Sequence, residues 1–380
     1  MPYDVHAFSV ADRASVRKFL DVPVDIYADD PSWVQPLYID QLEKLSSKHP
    51  YFEHAQARFW IISKDGRMVG RISAQIDQLQ ARSDVQKIGC IGNFECIDDQ
   101  QVANKLFLEA QQWLSAHSCE CARGPFNLSI NQECGLLIDG FDRPPCIMMG
   151  HARSYYQQLF EQGGYTKAKD LIAWWHDQEF VPSKAMARVI DRYQDKITIR
   201  NVDPKQAQRD INIMKDIFND AWIDNWGYIP FTDKEFKHLG KEMLQFFPAR
   251  YFKIAEYQGE PVGLMALLPN INELIADLNG RLLPFGWAKL LWRMKFSSAK
   301  TGRAALLGIK RDYQNQMISS AMVFMLIDQL RKEGFKDGIV QHELSWVLED
   351  NHRLNKIIES FGSIPYKTYR IFEKQLATQQ

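Results

Sequence analysis

One strand–turn–strand phrase occurs twice in this chain, and that repetition constrains the fold more than any other feature of the sequence. The first copy runs from Ile61 to Ile72 around Asp65-Gly66, and the second from Ile254 to Met265 around Gln258-Gly259. Apolar residues alternate across the first turn, the mark of an antiparallel hairpin. About a hundred residues after each copy comes a helical stretch that ends in glycine, Tyr156 to Gly163 and Lys356 to Gly362. The intervals Gly70 to Gly164 and Gly263 to Gly362 are nearly equal. Matched intervals of this kind predict two copies of one α/β unit.

Composition narrows what such a duplicated chain does. Its 380 residues suffice for two ordinary domains. The net charge of −1 provides no global field for nucleic acid. The apolar stretches fall short of the roughly 20 residues of a membrane span, and the amino end has no signal-peptide core. A cytoplasmic protein is expected. The six cysteines all lie between Cys90 and Cys146, with only Cys119-Glu120-Cys121 close-set, which predicts reduced core thiols. The nine histidines are scattered, and His49/His54 lacks ligand spacing, so no metal is expected. Neither a phosphate-binding P-loop nor a GxGxxG, HExxH or GxSxG motif occurs.

Periodicity and breakers give an order of elements. In the first half they predict a helix over 10–20, a proline-pinned loop over 27–36, the hairpin, and a strand over Ile88–Ile97. A helix opened by Asp98-Asp99 follows, then a strand at Cys121–Pro125, an elaborate loop from Phe126 to Met149, a helix at Tyr155–Gln162 and a strand at Leu171–His176. Residues 178–197 carry the boundary, with a charged helix after Pro182. The second half predicts a helix around Asp210–Asn219, the loop Trp222–Pro230, a helix from Asp233, the second hairpin and a strand at Ala304–Ile309. A helix from Asn315 to Lys332 closed by Gly334, a strand at Gly338–Leu344, a helix at His352–Ser360 and a strand at Thr368–Glu373 complete it. The expected domains are 1–180 and 197–380.

This order resembles the GNAT acyltransferase superfamily, and the tandem arrangement is similar to N-myristoyltransferase and the FemABX peptidyltransferases. The phrases Asn131 to Leu137, Asp220 to Gly227, Gly280 to Gly286 and Lys367 to Arg370 resemble a largely uncharacterised bacterial group of tandem GNAT proteins. The resemblance implies an α/β fold with a mixed α+β sheet in two GNAT-like domains side by side. It also implies acyl-CoA as co-substrate, bound where the fourth strand of a unit turns into a helix. In the second unit that place holds Ile309, Lys310, Arg311, Gln314, Gln316, Met317, Ile318 and Ser319, with Met317 where the family pattern has glycine. In the first unit it holds Phe94 to Gln101, with three carboxylates and no glycine. Carboxylates cap a helix but repel a pyrophosphate, so the first unit is expected to be degenerate in cofactor binding.

Acyl transfer to an amine needs a base and an acid for the departing thiolate. Glu343 and His342 are the candidate bases; as neighbours on a strand they point to opposite faces. The late-helix tyrosine that many GNAT enzymes use as acid is replaced by Phe160 and Ile358, which leaves Tyr369 or Tyr366 as substitutes. Asn351 suits a helix cap. Asn225 and Trp226, in the acceptor-loop position, and Asn127, Asn131 and Glu133 in the first unit, are the acceptor-binding candidates. From Arg281 to Arg311 there are eight Lys/Arg and no Asp or Glu, with Trp287, Leu290, Leu291 and Met294 interspersed. Such a stretch either lies on an anionic membrane, giving peripheral contact through 281–303, or covers the acyl pocket. The expected function is N-acyl transfer from acyl-CoA to an amine acceptor, with a leaning toward a lipidic one. The alternatives are a non-catalytic acyl-CoA or ligand-binding protein, and a FemABX-like aminoacyl transferase, which the near-neutral charge disfavours. The sequence is silent on oligomeric state.

Overall fold

The computed structural model describes residues 3–80, 86–177, 183–296 and 299–376. Residues 178–182 of the expected boundary, Pro182 included, and residues 297–298 of the basic stretch lie outside that description. The chain forms two compact units. Unit 1 comprises Met1–Ile172, Ile275–Leu290 and Tyr366–Gln380; unit 2 comprises Ala173–Leu274 and Leu291–Pro365.

In unit 1 four strands run antiparallel in sequence order: Tyr3–Phe8, Ala55–Lys64, Arg67–Asp77 and Ile88–Cys96. Cys121–Gly124 then joins Ile88–Cys96 in parallel. The last strand of the chain, Ile364–Gln375, closes the far side by pairing Phe372–Gln375 antiparallel with Cys121–Gly124. The hairpin turn has positive φ at both Asp65 (52°) and Gly66 (77°), the geometry whose twist matches that of paired strands. Helix Arg13–Ile26, capped by the Asp12 carboxylate, lays Phe19 edge-on to Phe59 at 5.4 Å in a core that includes Phe8, Val16 and Tyr51. Helix Gln100–Ala116 buries Val102, Leu106, Ala110 and Leu114, the stripe that its periodicity predicts.

Unit 2 repeats this succession. Ile197–Asn201, Phe252–Tyr257, Glu260–Pro269 and Thr301–Ile309 are antiparallel in order, and Gln341–Leu348 joins Thr301–Ile309 in parallel. Its turn has the same double positive φ, 54° at Gln258 and 85° at Gly259. The Val-Gly pair of each hairpin does one job. A Cβ at Gly70 would lie 2.9 Å from the Glu95 carbonyl oxygen and from a Leu106 methyl, and one at Gly263 2.7 Å from an Ile309 methyl. Glycine there lets the hairpin and the fourth strand close up.

Several boundaries differ from the sequence reading. The helix expected over 315–332 runs over Met317–Lys336, with Gly334 inside it. Gly334 is there for packing, since a Cβ would meet Leu267 at 3.1 Å, and the left-handed residue beyond the helix is Gly338 at φ 82°. The stretch from Phe126 to Met149 contains short strands, of which Leu136–Asp139 pairs with the last strand of the chain. Strands Tyr3–Phe8 and Ile197–Asn201 are short and half polar, so they carry little apolar signal. All six cysteines are buried and free. Among the described residues no helix is long and apolar enough to cross a membrane.

Candidate active site

In unit 2 the parallel pairing of the fourth and fifth strands covers only Thr301–Ala304 against Gln341–Leu344. Beyond Leu344 the two strands part. A strand in the middle of a sheet normally buries both faces, yet Ala304, Ala305, Leu306 and Leu307 are only half-buried. All four are apolar and alternate between the two faces of the strand, so the strand is apolar on both faces where its pairing ends. The Trp222 indole donates to the Leu307 carbonyl at 3.2 Å, and Trp346 stacks edge-on against it. The sequence reading missed both tryptophans, because nothing in their spacing ties them to this strand.

Glu343 is fully buried on one face of the fifth strand. The Ser345 hydroxyl donates to its Oε1. Arg303 Nε donates to the Ser345 Oγ at 2.8 Å and lies 3.6 Å from Glu343 Oε1. A buried carboxylate is tolerable because it is both paired and hydrogen-bonded. His342 points to the other face, into a cavity of about 40 Å³ lined by His176, Arg331, Phe361 and Ser363 among others. Its Nε2 has no hydrogen-bond partner among the described residues. Desolvation, with smaller contributions from His176 and Arg331, pushes its pKa down to about 4, so the ring is neutral at physiological pH. The two candidate bases therefore occupy separate environments.

The predicted cofactor residues form one continuous segment. Ile309 ends the fourth strand, Lys310 precedes the short helix Arg311–Gln314, and Gln316 is the N-cap of the 20-residue helix Met317–Lys336. Met317, Ile318 and Ser319 make its first turn. The Gln314 amide donates to the Ala221 and Ile309 carbonyls, both at 2.9 Å, and so ties the segment to the strand. The Arg311 guanidinium lies 3.5 Å from Asp220 and 3.6 Å from Asp224. Gln316 donates to the Asp312 carbonyl at 2.7 Å, and no side chain caps the long helix. No side-chain acceptor therefore meets its first-turn amides, although the Ser319 amide donates to the Gln316 carbonyl at 3.2 Å, and the helix's partial positive charge favours an anion there. The Met317 side chain is 53% exposed.

A cation unforeseen from sequence sits on this turn. Arg353, in the first turn of helix His352–Ser360, donates to the Gln314 carbonyl, to Asn315 Oδ1 at 3.3 Å and to Ser319 Oγ at 3.2 Å. Asn351, the expected cap, accepts from the Leu354 amide at 3.2 Å and so orients that helix. An uncapped helix end beside an arginine fits a diphosphate. Asn225 and Trp226 are half-buried in the turn after helix Ala207–Trp222, where the Asn225 amide donates to the Trp222 carbonyl at 2.8 Å.

The other candidates lie in unit 1. Tyr369 is fully buried on the last strand. Glu133 accepts from the Asn127 side chain at 3.0 Å, and the Asn131 amide donates to Ser129 Oγ at 3.2 Å, contacts that hold the loop's own shape. At the place where a cofactor would bind, unit 1 is filled by its own groups. Asp99 caps helix Gln100–Ala116, accepting from the Gln101 amide at 2.9 Å. Burial alone would raise its pKa, but the Lys64 ammonium and the helix amides hold it below the usual value. Glu95 accepts from the Tyr156 hydroxyl at 2.9 Å and pairs with Arg71 at 3.5 Å. Burial raises the Glu95 pKa in spite of that pairing.

No family model matches the chain. It is 42% identical over 365 residues to Protein YghO of Escherichia coli K12, covering 96% of this chain and 94% of that one. It is 40% identical over 376 residues to the bacterial ceramide synthase of Caulobacter vibrioides, covering 98% of each. Among solved structures it resembles a tandem GNAT protein from the clavulanic acid biosynthesis pathway, at TM-score 0.55 and 10% identity over the whole of both chains. It also resembles an Enterococcus faecalis V583 protein described as a probable N-acyltransferase, at TM-score 0.56 and 10% identity, covering all of this chain and 74% of that one. The duplicated topology and the near-complete match to two relatives lead to one conclusion: the chain belongs to the tandem GNAT-fold family that includes YghO and the bacterial ceramide synthase.

Proposed function

We propose that this protein is an N-acyltransferase that takes acyl-CoA in unit 2 and transfers the acyl group to a long-chain amine. The observation that carries the acyl-transfer reading is the grouping, within unit 2, of an uncapped helix end flanked by Arg353, a parted strand pair with apolar side chains, and the buried Glu343–Ser345–Arg303 set. The lipid acceptor is supported by the relative named bacterial ceramide synthase, since a ceramide is an N-acylated long-chain base. The acyl-CoA diphosphate would be held by the first turn of helix Met317–Lys336 and Arg353, and the acyl chain by Ala304–Leu307. The amine nitrogen attacks the thioester carbonyl; the C–N bond forms, the C–S bond breaks, and coenzyme A leaves. Glu343 draws the amine proton through the Ser345 hydroxyl, and the departing thiolate takes up a proton as the thiol. Asn225 and Trp226 orient the acceptor. The protein would work from the cytoplasm, meeting its acceptor at the membrane surface.

The test is purified protein with palmitoyl-CoA and sphinganine, following thiol release and the amide by mass spectrometry. Amide formation that Glu343→Gln abolishes is expected. Failure of palmitoyl-CoA to raise the melting temperature would remove the reading. Stabilisation without amide formation would reassign the chain as a non-catalytic acyl-CoA-binding protein.

A further inference from the structure

Large exposed apolar residues are not scattered evenly over this protein. Of the fourteen among the described residues, six lie between Leu283 and Met294: Leu283, Phe285, Trp287, Leu291, Trp292 and Met294. Leu283 is 79% exposed and Phe285 76%. So many exposed apolar side chains within twelve positions mark an interaction surface. Leu283 and Phe285 stand on the turn before helix Gly286–Phe296; Trp287, Leu291 and Met294 share one helix face at i, i+4 and i+7, while Leu290 is buried.

The segment is anchored. The Tyr38 amide donates to the Gly280 carbonyl at 2.8 Å at the foot of the turn. Trp287 Nε1 donates to the Pro284 carbonyl at 3.1 Å, and Arg293 to the Leu274 carbonyl at 2.6 Å. The apolar side chains are thus held outward by local hydrogen bonds. Charge identifies the occupant. Exposed Arg281, Lys289 and Lys295 border the apolar face, and no Asp or Glu occurs from Arg281 to Arg311. Lys289 pairs with Asp277, which lies outside that stretch. A basic, tryptophan-bearing helix complements an anionic bilayer, where apolar groups enter the acyl boundary and cations meet phosphates. At 11 residues the helix is about 16 Å long, against a hydrocarbon core of roughly 30 Å, so it lies on the bilayer.

We infer that the turn and helix 283–294 dock this protein on an anionic lipid bilayer, with Leu283, Phe285, Trp287, Leu291 and Met294 inserted at the headgroup–acyl boundary. The inference rests on the lipid-amine reading for its purpose, and its test does not depend on turnover. The experiment is flotation of the full chain with vesicles of phosphatidylcholine alone or mixed with phosphatidylglycerol. Wild type is expected to float with the mixed vesicles, less with phosphatidylcholine alone, and less as salt is raised. Phe285→Ser combined with Leu291→Ser should lower partitioning at least about tenfold at an unchanged melting temperature, because both side chains are exposed and neither anchors the segment. Arg281→Glu combined with Lys295→Glu should remove the preference for phosphatidylglycerol. Failure of wild type to float with the mixed vesicles, or equal flotation of the serine variant, overturns the inference. A dimer in sedimentation velocity that the serine variant disperses would assign the face to a second copy and overturn it too. Flotation together with loss of all acyl transfer would uphold the docking surface and remove only the acyltransferase reading.

Discussion

The two units treat one place in the fold in opposite ways. Each turns from its fourth strand into a long helix, and each has a later helix whose first turn contributes a side chain near that junction. In unit 1 the helix end is capped by Asp99, and the later helix supplies Tyr156, whose hydroxyl satisfies half-buried Glu95. In unit 2 the N-cap Gln316 turns its side chain away, and the later helix supplies Arg353. The first arrangement places the protein's own carboxylates at the junction; the second places an arginine there and no side-chain cap on the helix. The proposed coenzyme A site rests on this difference in the charge of a few junction residues.

The strongest way to break this comparison is to disturb the buried carboxylate of unit 2 and the tyrosine that satisfies the carboxylate of unit 1. Glu343→Gln in unit 2 should cut turnover by about 10²- to 10⁴-fold, whereas Tyr156→Phe in unit 1 should leave turnover intact and cost about 1–3 kcal/mol of stability. Equal turnover losses in steady-state assays would show that both units take part in the chemistry.

The next largest effect is in pH. An unfolded chain protonates His342 near its ordinary pKa of 6.5, but the folded chain resists until about 4. Stability should therefore fall as pH drops through that window, by about 3 kcal/mol at most. Glu95 in unit 1 acts in the opposite sense: its raised pKa makes its contribution fade as pH rises through the folded value. Urea midpoints against pH should flatten on the acid side for His342→Gln, and a retained slope would contradict the neutral buried imidazole.

A transplant sharpens the contrast further. Gln316→Asp gives unit 2 the cap of unit 1, and should stabilise the helix by about 1 kcal/mol while weakening coenzyme A about tenfold. Arg353→Ala should weaken coenzyme A by a similar factor and, since its hydrogen bonds to Gln314, Asn315 and Ser319 are lost, cost about 1 kcal/mol of stability. Calorimetric titration decides both, and unchanged affinity in both variants would move the ligand elsewhere. The smallest effect is expected for Asp99→Ala, about 1 kcal/mol lost from unit 1 with coenzyme A affinity unaltered.

The elements legible in the sequence were those whose signal is local. The Asp65-Gly66 and Gln258-Gly259 turns, the apolar stripe of Gln100–Ala116, the Asn351 cap and the helix His352–Ser360 all follow from neighbouring residues. The misplaced end at Gly334 shows the limit, because a glycine needed for packing reads the same as one needed for a cap. In the candidate site, the segment Ile309 to Ser319 and the opposite orientation of His342 and Glu343 were legible from strand and helix periodicity. Arg353, Trp222, Trp346 and the Arg303–Ser345 partners were not, since they reach the site from separate elements.

By itself the sequence determined the duplication, the order of the strands and helices with a strong apolar signal, and the charges carried by the junction turn of each unit. Those properties are carried by residues a few positions apart, through backbone geometry and helix polarity. Only the tertiary structure decided that the chain's last strand completes unit 1, that the fourth and fifth strands of unit 2 part after Leu344, and that Glu343 meets Arg303 while His342 faces a small cavity. These depend on pairings across tens to hundreds of residues, fixed by burial and hydrogen-bond satisfaction that no local pattern encodes.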